Sequence, residues 1–170
     1  MKEILDASSI KRSLFRISHE IIERNKGVQD IVLIGIKTRG ETLAYRVQEL
    51  IKQIEGIEVP TSSLDISYWR DDQKKKVADS FPDLDVEVKD KIVILIDDVL
   101  FKGRTVRAAM DGVMYYGRAK QIQLMILVDR GHKEIPVRAD FVGKNVPTSL
   151  SEDVKVHLQE NDGEDAVYID

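Results

Sequence analysis

Three short, nearly unbroken apolar runs, Ile31–Ile36, Ile92–Ile96 and Ile122–Val128, alternate with segments of helical periodicity, and this alternation constrains the fold more than any other feature. Runs this apolar suit strands buried on both faces, which occur in parallel sheets covered by helices. Parallel strands need a crossover, and the intervening segments supply one each time. The expectation is an α/β fold with a central, mostly parallel sheet flanked by helices.

The flanking segments agree. Over residues 7–26, Ile10, Leu14, Ile17, Ile21 and Ile22 form one apolar stripe, with Gly27 placed as a C-cap. Lys11, Arg12, Arg16, His19 and Arg24 occupy the other face. A second helix runs from Gly40 to Glu55 with Leu43, Ala44, Val47, Leu50, Ile51 and Ile54 inward, and a third spans Thr105–Tyr116 before Gly117. Ile57–Ile66 reads as a strand punctuated by Pro60, Asp140–Val142 as a short strand, and Val154–Gln159 with Ala166–Ile169 as a hairpin about Asn161-Asp162-Gly163. Residues 67–90, with Lys74-Lys75-Lys76, are too long and polar for an ordinary connection and predict a flexible functional loop. No internal repeat or linker interrupts the chain, which predicts one domain over residues 1–170.

There is no cysteine, which excludes disulfide and thiolate chemistry and suits a reducing cytoplasm. No apolar run approaches the roughly 20 residues needed to span a bilayer, and the N-terminus lacks a signal-peptide core. A soluble cytoplasmic protein with no membrane partner is expected. The net charge is −4, but residues 151–170 hold seven acids against Lys155, a local balance of −6 that leaves +2 on residues 1–150. Global charge therefore does not exclude a basic face for nucleic acid.

Chemistry concentrates in Val93–Thr105. Asp97 and Asp98 fall at the C-terminal end of a predicted strand, where parallel sheets bind ligands. The loop Val99-Leu100-Phe101-Lys102-Gly103-Arg104-Thr105 then enters a helix, whose free N–H groups and dipole favour an anion. Gly103 permits close approach, while Lys102, Arg104 and Thr105 add donors. Two adjacent carboxylates repel unless something binds beside them, and vicinal ribose hydroxyls, often with a divalent cation, meet that need. Alone, an Asp pair more often just ends a strand; the full thirteen-residue pattern is far more specific. A second loop, Gly35-Ile36-Lys37-Thr38-Arg39-Gly40, also joins strand to helix and suits a pyrophosphate.

The string of four apolar residues, two acids, four spacers and Gly-x-Thr closely resembles the 5-phosphoribosyl-1-pyrophosphate (PRPP) signature of type I phosphoribosyltransferases. Asn25-Lys26-Gly27, Leu64-Asp65-Ile66, Arg70-Asp71-Asp72, Arg104–Asp111, Val128-Asp129-Arg130-Gly131-His132 and Gly143–Ser149 extend the resemblance, across nearly the whole chain, to the PyrR family of pyrimidine-operon attenuation regulators that are also uracil phosphoribosyltransferases. The resemblance implies a type I phosphoribosyltransferase fold with a small hood and a C-terminal antiparallel hairpin. It also implies the reaction uracil plus PRPP to UMP and pyrophosphate, with Mg²⁺ held mainly through PRPP and no firm protein ligand.

On this reading Asp97 and Asp98 take the ribose hydroxyls and Phe101 to Thr105 the 5′-phosphate. Lys37, Thr38 and Arg39 take pyrophosphate, with a strained peptide, cis or trans, in that loop. Arg70 closes over the site on a mobile loop, and Arg130 and the backbone of Val146 face uracil. Phe101 stands where purine-salvage relatives carry an acid, which argues against a purine. The resemblance further implies UMP-promoted binding of pyrimidine-operon leader mRNA through Lys11, Arg12, Arg16, His19, Arg24, Lys133, Arg138 and Lys144, and assembly as a homodimer or higher homo-oligomer. A salvage enzyme without RNA binding and a nucleotide sensor with little turnover remain alternatives.

Two residues depart from the family pattern: Lys102 replaces a usual Thr in the phosphate loop, and Phe15 replaces a small polar residue on the exposed side of the first helix. His132 and His157 read as polar surface residues, and Trp69 as packing for the lid or a subunit interface.

Overall fold

In chain order the elements are β1 (Lys2–Leu5), α1 (Ala7–Arg24), β2 (Ile31–Ile36), α2 (Arg39–Glu55), β3 (Thr61–Leu64), β4 (Ile92–Leu100), α3 (Arg104–Tyr116), β5 (Gln121–Asp129), β6 (Phe141–Asn145), β7 (Val154–His157), α4 (Gln159–Asp162) and β8 (Ala166–Ile169). This computed structural model describes residues 1–71 and 81–170; Lys74-Lys75-Lys76 and the middle of the predicted flexible loop lie outside the described residues.

The apolar runs form the centre of a five-stranded sheet in the order β3-β2-β4-β5-β6, every adjacent pair parallel. Strand alternation sends successive side chains to opposite faces. Ile31, Leu33, Ile94, Ile96, Met125 and Leu127 pack with α1 and α2, whereas Val32, Ile34, Val93, Leu95, Leu124 and Ile126 pack with Val106, Ala109 and Val113 of α3. Two cores on one sheet explain why these strands read as continuous apolar runs.

The helix termini follow local chemistry. Asp6 caps α1 by accepting from the Ser9 N–H at 2.8 Å. Helix α1 stops at Arg24, earlier than the glycine signal predicted, because Asn25 leaves the helix to pair amides with Gln123 of β5 at 2.8 and 3.0 Å.

Other predicted elements differ as well. β3 begins at Thr61 rather than Ile57, since Pro60 has no N–H for the ladder, and it ends at Leu64 because Asp65 caps a following 3-10 turn, Ile66–Tyr68. The C-terminal hairpin is closed by α4 and Gly163 instead of a tight turn, and gains a third strand: β1 pairs with β8, giving an antiparallel sheet β1-β8-β7. β4 continues past Ile96 to Leu100, with consequences for the site. Among the described residues no helix is long and apolar enough to cross a membrane.

Candidate functional site

β2 pairs with β4 only as far as Gly35 opposite Ile96, whereas β4 stays paired with β5 to Leu100 opposite Asp129. From Asp97 onward, β4 has therefore lost one neighbour and a cleft opens beside it. The chain leaves β2 toward β3 on one side and leaves β4 toward β5 on the other, so the cleft lies where the strand order reverses. Open parallel sheets bind ligands at that point.

The predicted strand stops at Ile96 with the acidic pair at its end; the structure extends it and holds both acids within β4, because Val99 and Leu100 continue the ladder with β5. Asp97 is buried, and burial, reinforced by the neighbouring Asp98, pushes its carboxyl well above the usual carboxylate range. Its Oδ1 accepts the Asp98 N–H at 2.9 Å, and Asp98 Oδ1 accepts the Val99 N–H at 2.8 Å. Both Asp97 and Asp98 line the cleft beside β4.

Phe101 to Gly103 turn the chain into α3. Gly103 sits at φ 91°, left-handed, and a Cβ there would lie 3.0 Å from Ile135 Cγ1. The first N–H groups of α3 lack intrahelical acceptors, as at any helix start, and Arg104 to Val106 line the hollow behind this turn. Arg104 points elsewhere, to Asp71 at 2.7 Å and Glu134 at 2.9 Å. Lys102 is exposed, with its ammonium 5.6 Å from the Phe101 ring.

On the other side of the cleft, a Cβ on Gly35 would meet Gly40 O at 2.3 Å, and one on Gly40 would meet Ile96 O at 2.3 Å. Backbone therefore packs on backbone from β2 through the start of α2 to β4, which brings the Lys37–Arg39 loop against the acidic pair. The Lys37–Thr38 peptide is cis. Arg39 makes a two-pronged pair with Asp162 of α4, Nε at 3.1 Å and Nη2 at 2.6 Å.

The result is two adjoining hollows. One, of about 410 Å³, is lined by Lys37, Thr38, Arg39, Asp65, Arg70, Asp97 and Asp98. The other, of about 500 Å³, is lined by Arg70, Val99 to Thr105 and Glu134. Arg70 and Thr105 border both. A larger hollow of about 590 Å³ lies between α1, α2 and Asp165, away from the acidic pair.

Arg130, expected to face uracil, is buried with its guanidinium 3.9 Å from the Phe101 ring centroid. Its hydrogen bonds go to Thr148 Oγ1 at 3.1 Å, Ser149 O at 3.0 Å and Glu152 O at 2.6 Å. The Val146 N–H donates to Asp129 O at 2.8 Å, so its carbonyl is the group it has to offer. His132 bonds the Thr148 carbonyl and meets Phe101 edge-on. His157 is less solvated than the sequence suggested, pairing with Glu164 at 2.8 Å.

Of the basic residues, Arg16 donates to the Val142 and Gly143 carbonyls at 3.1 and 2.8 Å, and Arg24 pairs with Asp140 at 2.7 Å. These bonds lay α1 along edge strand β6, which carries exposed Lys144, whereas Arg138, also exposed, lines a hollow with Val106 and Met110 of α3. Lys11, Arg12 and His19 are exposed on α1, and Arg12 donates to Ser8 and Ser9. Phe15 is half exposed and meets His19 edge-on. Lys133 stands apart from this stripe, 3.8 Å from Asp129 at the end of β5. Trp69 stacks on Phe81 and packs against Tyr115 and Tyr116 of α3. Asp162 was read only as part of the Asn161-Asp162-Gly163 turn and Glu134 was not singled out, because each meets its arginine across a long stretch of chain.

A profile of the phosphoribosyl transferase domain matches residues 1–160. The fold is similar to that of a hypoxanthine phosphoribosyltransferase of Trypanosoma cruzi (TM-score 0.74, 14% identity, 99% of this chain and 95% of that one). It is also similar to that of a hypoxanthine-guanine phosphoribosyltransferase of Bacillus anthracis (TM-score 0.71, 17% identity, 100% and 97%). The fold and domain are thus those of a type I phosphoribosyltransferase. In sequence the chain is 60% identical over 172 residues to the bifunctional protein PyrR of Oceanobacillus iheyensis, covering 98% of this chain and 96% of that one. It is 55% identical over 170 residues to the bifunctional protein PyrR of Enterococcus faecalis, covering 99% and 96%. The chain belongs to the PyrR family.

Proposed function

We propose that the cleft binds PRPP and uracil and produces UMP and pyrophosphate, and that UMP in turn promotes binding of the chain to pyrimidine-operon leader mRNA, favouring transcription attenuation. The observation that carries this reading is the meeting of Asp97-Asp98, the 101–105 turn and the 37–39 loop around one cleft, in a chain of the PyrR family.

Asp97 and Asp98 hold the ribose hydroxyls, and the amides of Phe101 to Thr105 cradle the 5′-phosphate. Lys37, Thr38 and Arg39 take pyrophosphate, and Arg70, at the junction of the two hollows, closes over both. Catalysis rests on positioning and on stabilising charge as the anomeric carbon becomes cationic and pyrophosphate departs. Among the described residues no cluster of three or more His, Cys, Asp or Glu can hold a metal. Asp97 and Asp98 would face a Mg²⁺ ion held mainly through PRPP, which would supply charge neutralisation for the diphosphate. Phe101 forms an apolar wall for the base, stiffened by the Arg130 guanidinium behind it. The Val146 carbonyl reads the uracil imide N–H. Arg130 thus supports the base site rather than donating to uracil. The whole chain acts as one domain, in a homo-oligomer.

The regulatory half uses the stripe of α1 and β6, since folded RNA is held through phosphates and unstacked loop bases. A gel shift with the leader stem-loop tests it: UMP should strengthen the complex. Arg138→Gln should weaken it while UMP formation is kept, and should lower the salt slope of log K by about 0.9. No complex at low salt, or a loss of turnover equal to the loss of binding, would remove Arg138 from the RNA face.

A further inference from the structure

We infer that Asp162, in the C-terminal segment, is a positioning residue for phosphoribosyl transfer: it aims the Arg39 guanidinium at the pyrophosphate end of the cleft. The inference rests on the assignment of Arg39 to pyrophosphate.

Asp162 engages one edge of the guanidinium through Nε and Nη2. That leaves Nη1 and the outer edge for the cleft, which Arg39 lines together with Asp98. An unpaired arginine on a loop samples many rotamers, and that freedom must be lost again when an anion binds. A two-pronged carboxylate fixes plane and direction beforehand. Asp162 is itself held: its Oδ2 also accepts the N–H of Leu158 at 2.9 Å, and Leu158 is fully buried. The pair lowers the Asp162 carboxyl below its ordinary range and raises Arg39, so both stay charged near neutrality.

The segment does not need this pair as a staple. Thr42 Oγ1 donates to Asn161 Oδ1 at 2.8 Å, Arg46 binds Asp165 at 2.7 and 3.0 Å and Glu160 at 2.9 Å, and β7 and β8 are laddered. Removing the Asp162 carboxylate therefore leaves the segment docked, releasing Arg39 and one acceptor of the Leu158 N–H.

The test compares the full chain with Asp162→Asn, Asp162→Glu, Thr42→Ala, Arg39→Ala and the Asp162→Asn/Arg39→Ala double variant. Calorimetry reads binding of Mg²⁺-PRPP and of inorganic pyrophosphate; kinetics reads KM and kcat; thermal midpoints report the fold. Asp162→Asn should weaken both ligands about five-fold, the worth of a good partly exposed ion pair, with kcat and the uracil KM nearly unchanged. Asp162→Glu should recover part of the loss. Thr42→Ala, which cuts a neighbouring tie only, should match wild type, and Asp162→Asn should add nothing once Arg39 is gone. If Asp162→Asn binds like Thr42→Ala while Arg39→Ala is weakened, the positioning role is wrong and the Arg39 assignment stands. Tighter ligand binding by Asp162→Asn would overturn it in favour of Asp162 as a competing anion. If Arg39→Ala binds pyrophosphate normally, both the inference and the assignment beneath it fall.

Discussion

Asp97 is the residue at which stability and function pull in opposite directions. A carboxyl whose folded pKa exceeds its unfolded value binds more protons when folded. Folding stability then falls as pH rises from the ordinary carboxylate range, near 4, through the raised folded value. Burial, reinforced by Asp98, puts Asp97 in that class. Asp97→Asn should therefore melt higher than wild type at pH 7, by about 2–4 °C for each kcal/mol relieved, and the gain should vanish as the pH approaches 4. Thermal unfolding across pH checks this, and an equal or lower midpoint at pH 7 would contradict it. Such residues were legible in sequence because Asp97-Asp98 and Gly103-Arg104-Thr105 form one contiguous pattern. Arg130 was legible only as important: its acceptors lie 18 to 22 residues downstream, on a loop whose path no local rule specifies.

At the scale of elements, the site depends on how closely α2 approaches the sheet. Gly35 and Gly40 have no room for a side chain, and the obstructing atoms are backbone. Gly40→Ala should push the start of α2 off β4, costing about 3 kcal/mol, the upper end of ordinary overpacking, and weakening PRPP binding together with the melting temperature. A variant of wild-type stability and affinity would show that the backbone contact is unimportant. The central strands and helices were readable because apolar runs and 3.6-residue stripes are local. β1 was not: four residues carry little pattern, and they form a strand only because β8, at the far end of the chain, offers its edge. The length of β4 was missed because two acids interrupt the apolar run that signals a strand, although the backbone pairs through them.

Across the whole molecule, charge is partitioned to a purpose. The acidic C-terminal stretch, a separate −6 in the sequence, docks on α2 through Arg39 and Arg46. Glu160 and Asp165 are held below their ordinary carboxylate range chiefly by hydrogen bonds from Arg46. Docking there occupies Arg39 and Arg46, while Lys11, Arg12, His19 and Lys144 stay exposed. A composition count cannot separate these two facts, because which charges neutralise each other is decided by tertiary contact. The parallel sheet then sets the acidic pair and two loops around one cleft, the proposed site for joining PRPP to uracil. The purified chain, given PRPP and Mg²⁺ with uracil, hypoxanthine, guanine or orotate in turn, decides this by the nucleotide formed. UMP with uracil, and no nucleotide from the other bases, is the predicted result; no UMP, or turnover of hypoxanthine, would contradict it.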